Sequence, residues 1–314
     1  MIVIRPAGLR PGATVGIASV SAPEPVTDRE WFDRGVESIE RRGYRARLAA
    51  HARGRHGYLS APERELAADL HELFADAEVA AIICAGGGTN ANRLLRHLDH
   101  DLIRSNPKIL VGVSNPTVLL NAITARTGLI TFHGPAVVWD LGAPDGLSGY
   151  TEDGFWPVLT EAREGFSIES GPANWSWPRP GRARGRLVAG NLTSLQTLLG
   201  TSFEPAWDGA ILAWEDVGKP VNRLDLVLTH FRDAGALSRL SGMVVGELVG
   251  CEEPDGGLSV DQMLEEVLDG LGLPVLRGVL FGHTPLKATL PIGAEVSLDS
   301  DSNSLTVCEP VVGR

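Results

Sequence analysis

Through the first half of the chain, short apolar runs alternate with segments whose apolar residues recur at helical spacing. "TVGIASV" from Thr14, "VAAIICAGGG" from Val79 and "KILVGVS" from Lys108 read as strands, whereas "RGVESIERRGY", "ELAADLHELFADA", "ANRLLRHLD" and "PTVLLNAITART" read as helices. Strands separated by helices of this length need crossover connections, which predicts a mainly parallel sheet with both faces covered. From about Leu141 to Arg184 the texture changes to "LGAPDGLSGYTEDGF" and "ESGPANWSWPRPGRARG", where neither period is sustained. Beyond it, "GRLVAGNLTSLQTLLG", "AILAWED", "RLDLVLTHFRDAG", "GMVVGELVG", "DQMLEEVLDGLG" and "GAEVSLDSDSNSLTV" predict a mixed α/β unit. The expected organisation is a doubly wound domain over residues 1–150, an interdomain linker over 151–182 and a smaller α/β domain over 183–314.

Composition narrows the function classes. At 314 residues, 43% hydrophobic and 21% charged, the chain has the balance of a globular protein with a sizeable core. The formal net charge of -11 excludes the basic face that a nucleic acid backbone requires. No signal-like apolar stretch opens the sequence, and "VAAIICAGGG" is far short of a membrane span, so a cytoplasmic protein is expected. The three cysteines, Cys84, Cys251 and Cys308, are odd in number and widely spaced, which suits reduced thiols.

The break in "KILVGVSNPTVLLNAI" carries the first chemical signal. In an open parallel sheet, ligands gather beyond the carboxyl ends of the strands, and Ser114 stands at such an end. Asn115 can cap the following helix and Pro116 can occupy its first turn, which explains Asn-Pro without any function. Ser114 is left over, and Gly112 two positions earlier permits a close approach. A serine on a sharp strand-to-helix turn has the geometry of a nucleophile elbow, although the pattern is Gly-x-Ser-x-Pro rather than Gly-x-Ser-x-Gly.

A serine needs a base, and the base needs an orienting group. Of the eight histidines, His133 in "TFHGPAV" and His283 in "LFGHTPL" each follow a strand-like run beside glycine or proline. Glu215 and Asp216 close the apolar strand "AILAWED", and either can orient an imidazole. The glycine run in "CAGGGTNAN" supplies backbone donors for an oxyanion. It can also cradle a phosphate, but the spacing matches neither Gly-x-Gly-x-x-Gly nor a P-loop. No His-Glu-x-x-His or Cys-x-x-Cys pair suggests a metal, and the chemistry requires no cofactor.

Seven segments in order resemble the serine peptidase family S66, which contains the LD-carboxypeptidases and the microcin C immunity peptidases. They are "LRPGATVGIASVSAP", "CAGGGTNANRLLRHLD", "KILVGVSNPTVLLNAI", "TFHGPAV", "GRLVAGNLTSLQTLLGT", "ILAWEDVGKPVNRLDLVLTHF" and "GVLFGHTPLKATLPIGAEVSLD". The resemblance implies Ser114 as nucleophile, Glu215 as acid and His283 as base, with backbone amides of Gly88 and Asn115 as oxyanion donors. It implies a flavodoxin-like or Rossmann-like N-terminal domain, a C-terminal α/β domain, a triad across their interface and a homodimer. Gly87, Trp175, Trp177, Asn191 and Lys219 fall where the family binds substrate. In the immunity branch, aromatic side chains from the interdomain loop stack on a base and a lysine contacts an acidic side chain.

Two departures stand out: Asn115 replaces the family's usual aspartate, and Gly86-Gly87-Gly88-Thr89-Asn90-Ala91 lacks the Arg-Gly-Gly-Tyr-Gly-Ser of the LD-carboxypeptidase branch. The implied substrate is therefore a peptidyl-nucleotide cleaved beside an acidic residue. The alternatives are a murein tetrapeptide losing its terminal D-alanine, or a non-catalytic nucleotide-binding module.

Overall fold

The structure is a computed structural model that describes residues 2–252 and 256–313. Fourteen strands among these residues form two sheets. The first contains β1 (Thr14–Ala18), β2 (Arg45–Leu48), β3 (Val79–Cys84), β4 (Ile109–Gly112) and β5 (Thr131–His133), all parallel and in the order 2-1-3-4-5. The family resemblance implies a flavodoxin-like or a Rossmann-like winding, and this order is the flavodoxin-like one. β1 is buried at every position, and β3 at all but one, as a parallel sheet covered on both faces requires.

The second sheet is mixed. It contains β6 (Phe166–Ser167), β7 (Ser176–Arg179), β8 (Arg182–Asn191), β9 (Ile211–Val217), β10 (Gly242–Val249) and β11 (Val275–Val279). β12 (Leu290–Ile292) leaves this half of the chain and pairs antiparallel with β5 at the edge of the first sheet. β13 (Glu295–Asp299) and β14 (Ser304–Val307) then return to the second. β8 to β11 run parallel at its centre.

Residues 151–182, expected as a linker, hold most of the helix Gly149–Thr160 together with β6 and β7. This stretch is built structure. The helix is capped by Ser148, whose hydroxyl accepts from Thr151 N, but it contains Gly154 and Pro157, and its apolar stripe is weak. β8 also starts at Arg182, inside the segment that reads as loop. Its first half alternates Arg182, Arg184 and Arg186 with small residues, and these arginines pair with Asp299, Glu295 and Glu309 on the neighbouring strand and tail.

The helix Thr117–Thr127 joins the two sheets. Nine of its eleven residues are buried, because one face meets the first sheet and another meets β8. Asn121 donates to Ala189 O at 2.9 Å, and Thr117 Oγ1 accepts from Asn191 N at 3.1 Å. Asn191 is in register with Glu215 across the β8–β9 pair. The start of this helix is thus tied through β8 to one acidic position on β9.

A second tie crosses the junction. Lys287 Nζ donates to Asp140 Oδ1 at 2.5 Å, and both side chains are buried. Removing one partner of such a pair leaves an uncompensated charge in a dry site. Lys287→Met is expected to destabilise the fold by about 3–5 kcal/mol, read as a lower midpoint of urea unfolding, with much of the loss recovered when Asp140→Leu is added. A loss below about 1 kcal/mol would show that the pair contributes little.

Candidate active site

Ser114 follows β4 with φ of 66°, one of three non-glycine residues with positive φ among those described. A left-handed serine is strained, and such strain persists where the surroundings over-determine it. Here the elbow is fixed by Thr117 N donating to Ser114 O at 2.9 Å and Val118 N donating to Asn115 O at 3.1 Å.

The structure corrects the capping role read for Asn115. Pro116 occupies the position before the helix, and no side chain caps it. Asn115 instead turns away, its Oδ1 accepting from Ala91 N at 2.7 Å and Ser21 Oγ at 3.1 Å. Its side chain therefore locks the loops after β1 and β3 to the serine elbow, contacts that neighbouring residues alone do not reveal.

The three glycines after β3 are each required by a different neighbour. A Cβ on Gly86 would lie 1.5 Å from Glu24 Oε2, one on Gly87 would lie 2.8 Å from Ser114 Cβ and 2.9 Å from its Oγ, and one on Gly88 would strike Ala22. Gly87 O accepts from Ala22 N at 3.1 Å. Because a trans peptide sets C=O and N–H in opposite directions, the Gly88 N–H points away from Ala22. Neither it nor the Asn115 N–H has an acceptor among the described residues.

The geometry separates the two histidines and the two acids. His283 Nδ1 lies 2.7 Å from Glu215 Oε2, and Glu215 is 0% exposed. With Nδ1–H donating to the carboxylate, Nε2 keeps the lone pair that a base needs. Gly282, with φ of 89°, permits this contact, since a Cβ there would come within 2.2 Å of Glu215 Cγ. His133 is fully buried against Phe281, neither ring nitrogen has a partner among the described residues, and burial pushes its pKa down to about 3. Asp216 is satisfied structurally, accepting from Asn191 Nδ2, Thr193 N, Thr193 Oγ1 and Val217 N.

Two residues at the site are absent from the sequence reading. Trp139 lies 2.8 Å from the Cβ position of Gly87, and its ring centroid is 6.3 Å from that of His283. It thus touches the surroundings of both Ser114 and His283. Glu24 is buried against the glycine turn and accepts from Gly87 N at 2.9 Å. Both follow the ends of parallel strands, β5 and β1, where that topology gathers ligands. This was the available signal.

Family comparison agrees with this architecture. Models of the LD-carboxypeptidase N-terminal and C-terminal domains match residues 15–134 and 184–298. The chain belongs to peptidase family S66. Its S66 relatives include the probable murein peptide carboxypeptidase of Bacillus subtilis, 34% identical over 306 residues and covering 96% of this chain and 94% of the relative. The microcin C7 self-immunity protein MccF of Escherichia coli is 32% identical over 329 residues, covering 96% and 95%. A solved structure of MccF in complex with aspartyl sulfamoyl adenosine superposes with a TM-score of 0.94 at 29% identity, covering 99% of this chain and 100% of that one.

The remaining S66 positions are dispersed. Asn191 spends its side chain on capping Ser194 N and holding Asp216. Trp177 donates to Asn303 Oδ1 at 2.8 Å on the edge strand β7, beside Leu264 and Leu268. Trp175 packs near Gly278, where β11 leads toward His283, and its buried Nε1 has no partner among the described residues. Lys219 is half-buried just beyond β9, and its ammonium is unpartnered among the described residues. Only three lysines occur beside 25 arginines, and the other two, Lys108 and Lys287, are buried on structural partners. Among the described residues no group of three or more His, Cys, Asp or Glu is placed to hold a metal, and no helix is long and apolar enough to cross a membrane.

Proposed function

We propose that this S66 peptidase hydrolyses an amide joining an acidic C-terminal residue to a nucleotide-like group, using Ser114, His283 and Glu215. The observation that carries the reading is the Glu215–His283 hydrogen bond, with Trp139 near both His283 and the Gly87 turn that packs against the strained Ser114 elbow. His283 Nε2 removes the Ser114 proton as Oγ attacks the carbonyl carbon. The N–H groups of Gly88 and Asn115 hold the oxyanion, and His283 returns the proton to the leaving nitrogen. Water, deprotonated by the same imidazole, then releases the acyl group from Ser114. An oxyanion needs the backbone donor alone, so asparagine at 115 is compatible with the step.

The acidic preference rests on Lys219, four residues beyond Glu215 and with no partner for its ammonium among the described residues, and on the likeness to MccF. The test is turnover of aspartyl sulfamoyl adenosine against a murein tetrapeptide. Lys219→Met is expected to raise KM for the aspartyl compound about 10–100-fold and to leave that for a leucyl analogue nearly unchanged, since a hydrogen bond to a charged group contributes about 1.5–3 kcal/mol. Turnover of the tetrapeptide alone would favour the murein reading suggested by the Bacillus subtilis relative. Binding of the nucleoside with hydrolysis of neither would make the chain a binding module. The same reading extends to a cytoplasmic homodimer that protects its cell from a peptidyl-nucleotide antibiotic, checked by sedimentation equilibrium and by growth in the presence of such a compound.

A further inference from the structure

Glu24 is the titratable group closest to the glycine turn, and the chemistry above does not use it. Its carboxyl occupies the space left by the missing Cβ of Gly86, and its Oε2 accepts from Gly87 N at 2.9 Å. The next peptide carries the Gly88 N–H, and the Cβ position of Gly87 lies 2.9 Å from Ser114 Oγ. A change in this carboxyl is therefore felt one peptide away from the oxyanion donor.

We propose that Glu24 is a positioning residue whose carboxyl aims the Gly87–Gly88 peptide at the oxygen developing on the acyl carbon of Ser114, and that it supports the reaction when uncharged. The inference rests on the hydrolytic reading of Ser114. Burial pushes Glu24 up to about 8, against the opposing hydrogen bond from Gly87, with Asp28 raising it further. Below that pH the carboxyl is neutral and its carbonyl oxygen still accepts from Gly87. Above it, a buried negative charge sits beside the site that must accept a second one.

Other charges around Glu24 are balanced. The glycine turn and the Ser114 elbow bring no ionisable group. On the following helix Arg29 pairs with Asp33 and Arg34 with Glu30 at the surface, and beyond Trp139 His283 is held by Glu215 and Lys287 by Asp140. Asp28 is the group that acts on it directly.

Two measurements decide the matter. In the wild type, kcat is expected to fall about tenfold from pH 7 to pH 9 as Glu24 ionises, and Glu24→Gln, which keeps a carbonyl acceptor without the charge, should abolish that fall. Glu24→Ala, which loses the anchor, is expected to lower kcat about 10–100-fold at every pH with little change in KM. Independently of turnover, the Gly87 amide proton should shift with a midpoint near pH 8 in the wild type and stay flat in Glu24→Gln. A flat Gly87 resonance in the wild type, or the same alkaline limb in wild type and Glu24→Gln, overturns the proposal. Absence of any Ser114-dependent hydrolysis would instead overturn the hydrolytic reading, and the Gly87 titration would still decide whether Glu24 controls the turn.

Discussion

Ser114→Ala is expected to lower kcat by roughly 10⁴- to 10⁶-fold while KM for aspartyl sulfamoyl adenosine stays within a few-fold. In the proposed mechanism the hydroxyl forms the acyl bond, so its loss removes covalent catalysis outright. What survives is binding and the amide donors, which leave a modest residual rate over water. Backbone strain offers an internal control. At φ of 66° alanine is as poorly accommodated as serine, whereas glycine is comfortable there. Ser114→Gly is therefore expected to be equally inactive yet more stable than the wild type by about 0.5–1 kcal/mol, measured by urea unfolding. Inactivity with undiminished stability separates chemistry from folding. Retention of more than about 1% of kcat by either variant would remove Ser114 from the nucleophile's role.

The residues that were legible in the sequence are those whose signal is local. β1, β3 and β4 announce themselves as short apolar runs, and the helices between them imply a parallel sheet, whereas its 2-1-3-4-5 order is seen only in the structure. Ser114 was visible because a strand end met a helix start. The second half of β8 was visible too, but its first half was not. Arg182, Arg184 and Arg186 alternate only with the small Ala183 and Gly185, and both the strand that pairs with this half and the acids that meet the arginines lie more than a hundred positions away. Asn115 illustrates the same limit. Its sequence position suggests a cap, and only the fold brings Ala91 N to its carbonyl.

Local pattern left the pairing at the site open for a related reason, and only the family resemblance chose His283 and Glu215. His133 and His283 sit in similar local contexts, each after an apolar run and beside glycine. What distinguishes them is the tertiary neighbour, a carboxylate for His283 and the edge of Phe281 for His133. Glu24 and Trp139 went unread because a lone acid in "SAPEPVT" and a lone tryptophan in "GPAVVWD" are ordinary surface features until the strand ends converge.

The adjacent acids on β9 should give opposite signatures when each is converted to its amide. Glu215→Gln is expected to lower kcat by about 10³- to 10⁴-fold with little effect on KM or stability. The amide can no longer favour the Nδ1–H tautomer of His283, nor stabilise the imidazolium that forms when Ser114 is deprotonated. Glu215 Oε1 has no partner among the described residues, so the substitution leaves few other hydrogen bonds to lose. Asp216→Asn places an NH₂ group among donors from Asn191, Thr193 and Val217, and at least one buried donor must go unpaired. Its cost is expected to be about 1–3 kcal/mol of stability, seen as a lower unfolding midpoint, with turnover of the folded fraction much less affected than in Glu215→Gln. The pair of measurements also tests the positional argument of the fold. Asn191 is in register with Glu215 and is hydrogen-bonded to Asp216, so the strand that sets the proposed orienting acid is the one that the next residue anchors. Should Asp216→Asn prove the inactive variant and Glu215→Gln the unstable one, the orienting acid would be Asp216 and the Glu215–His283 contact would be structural.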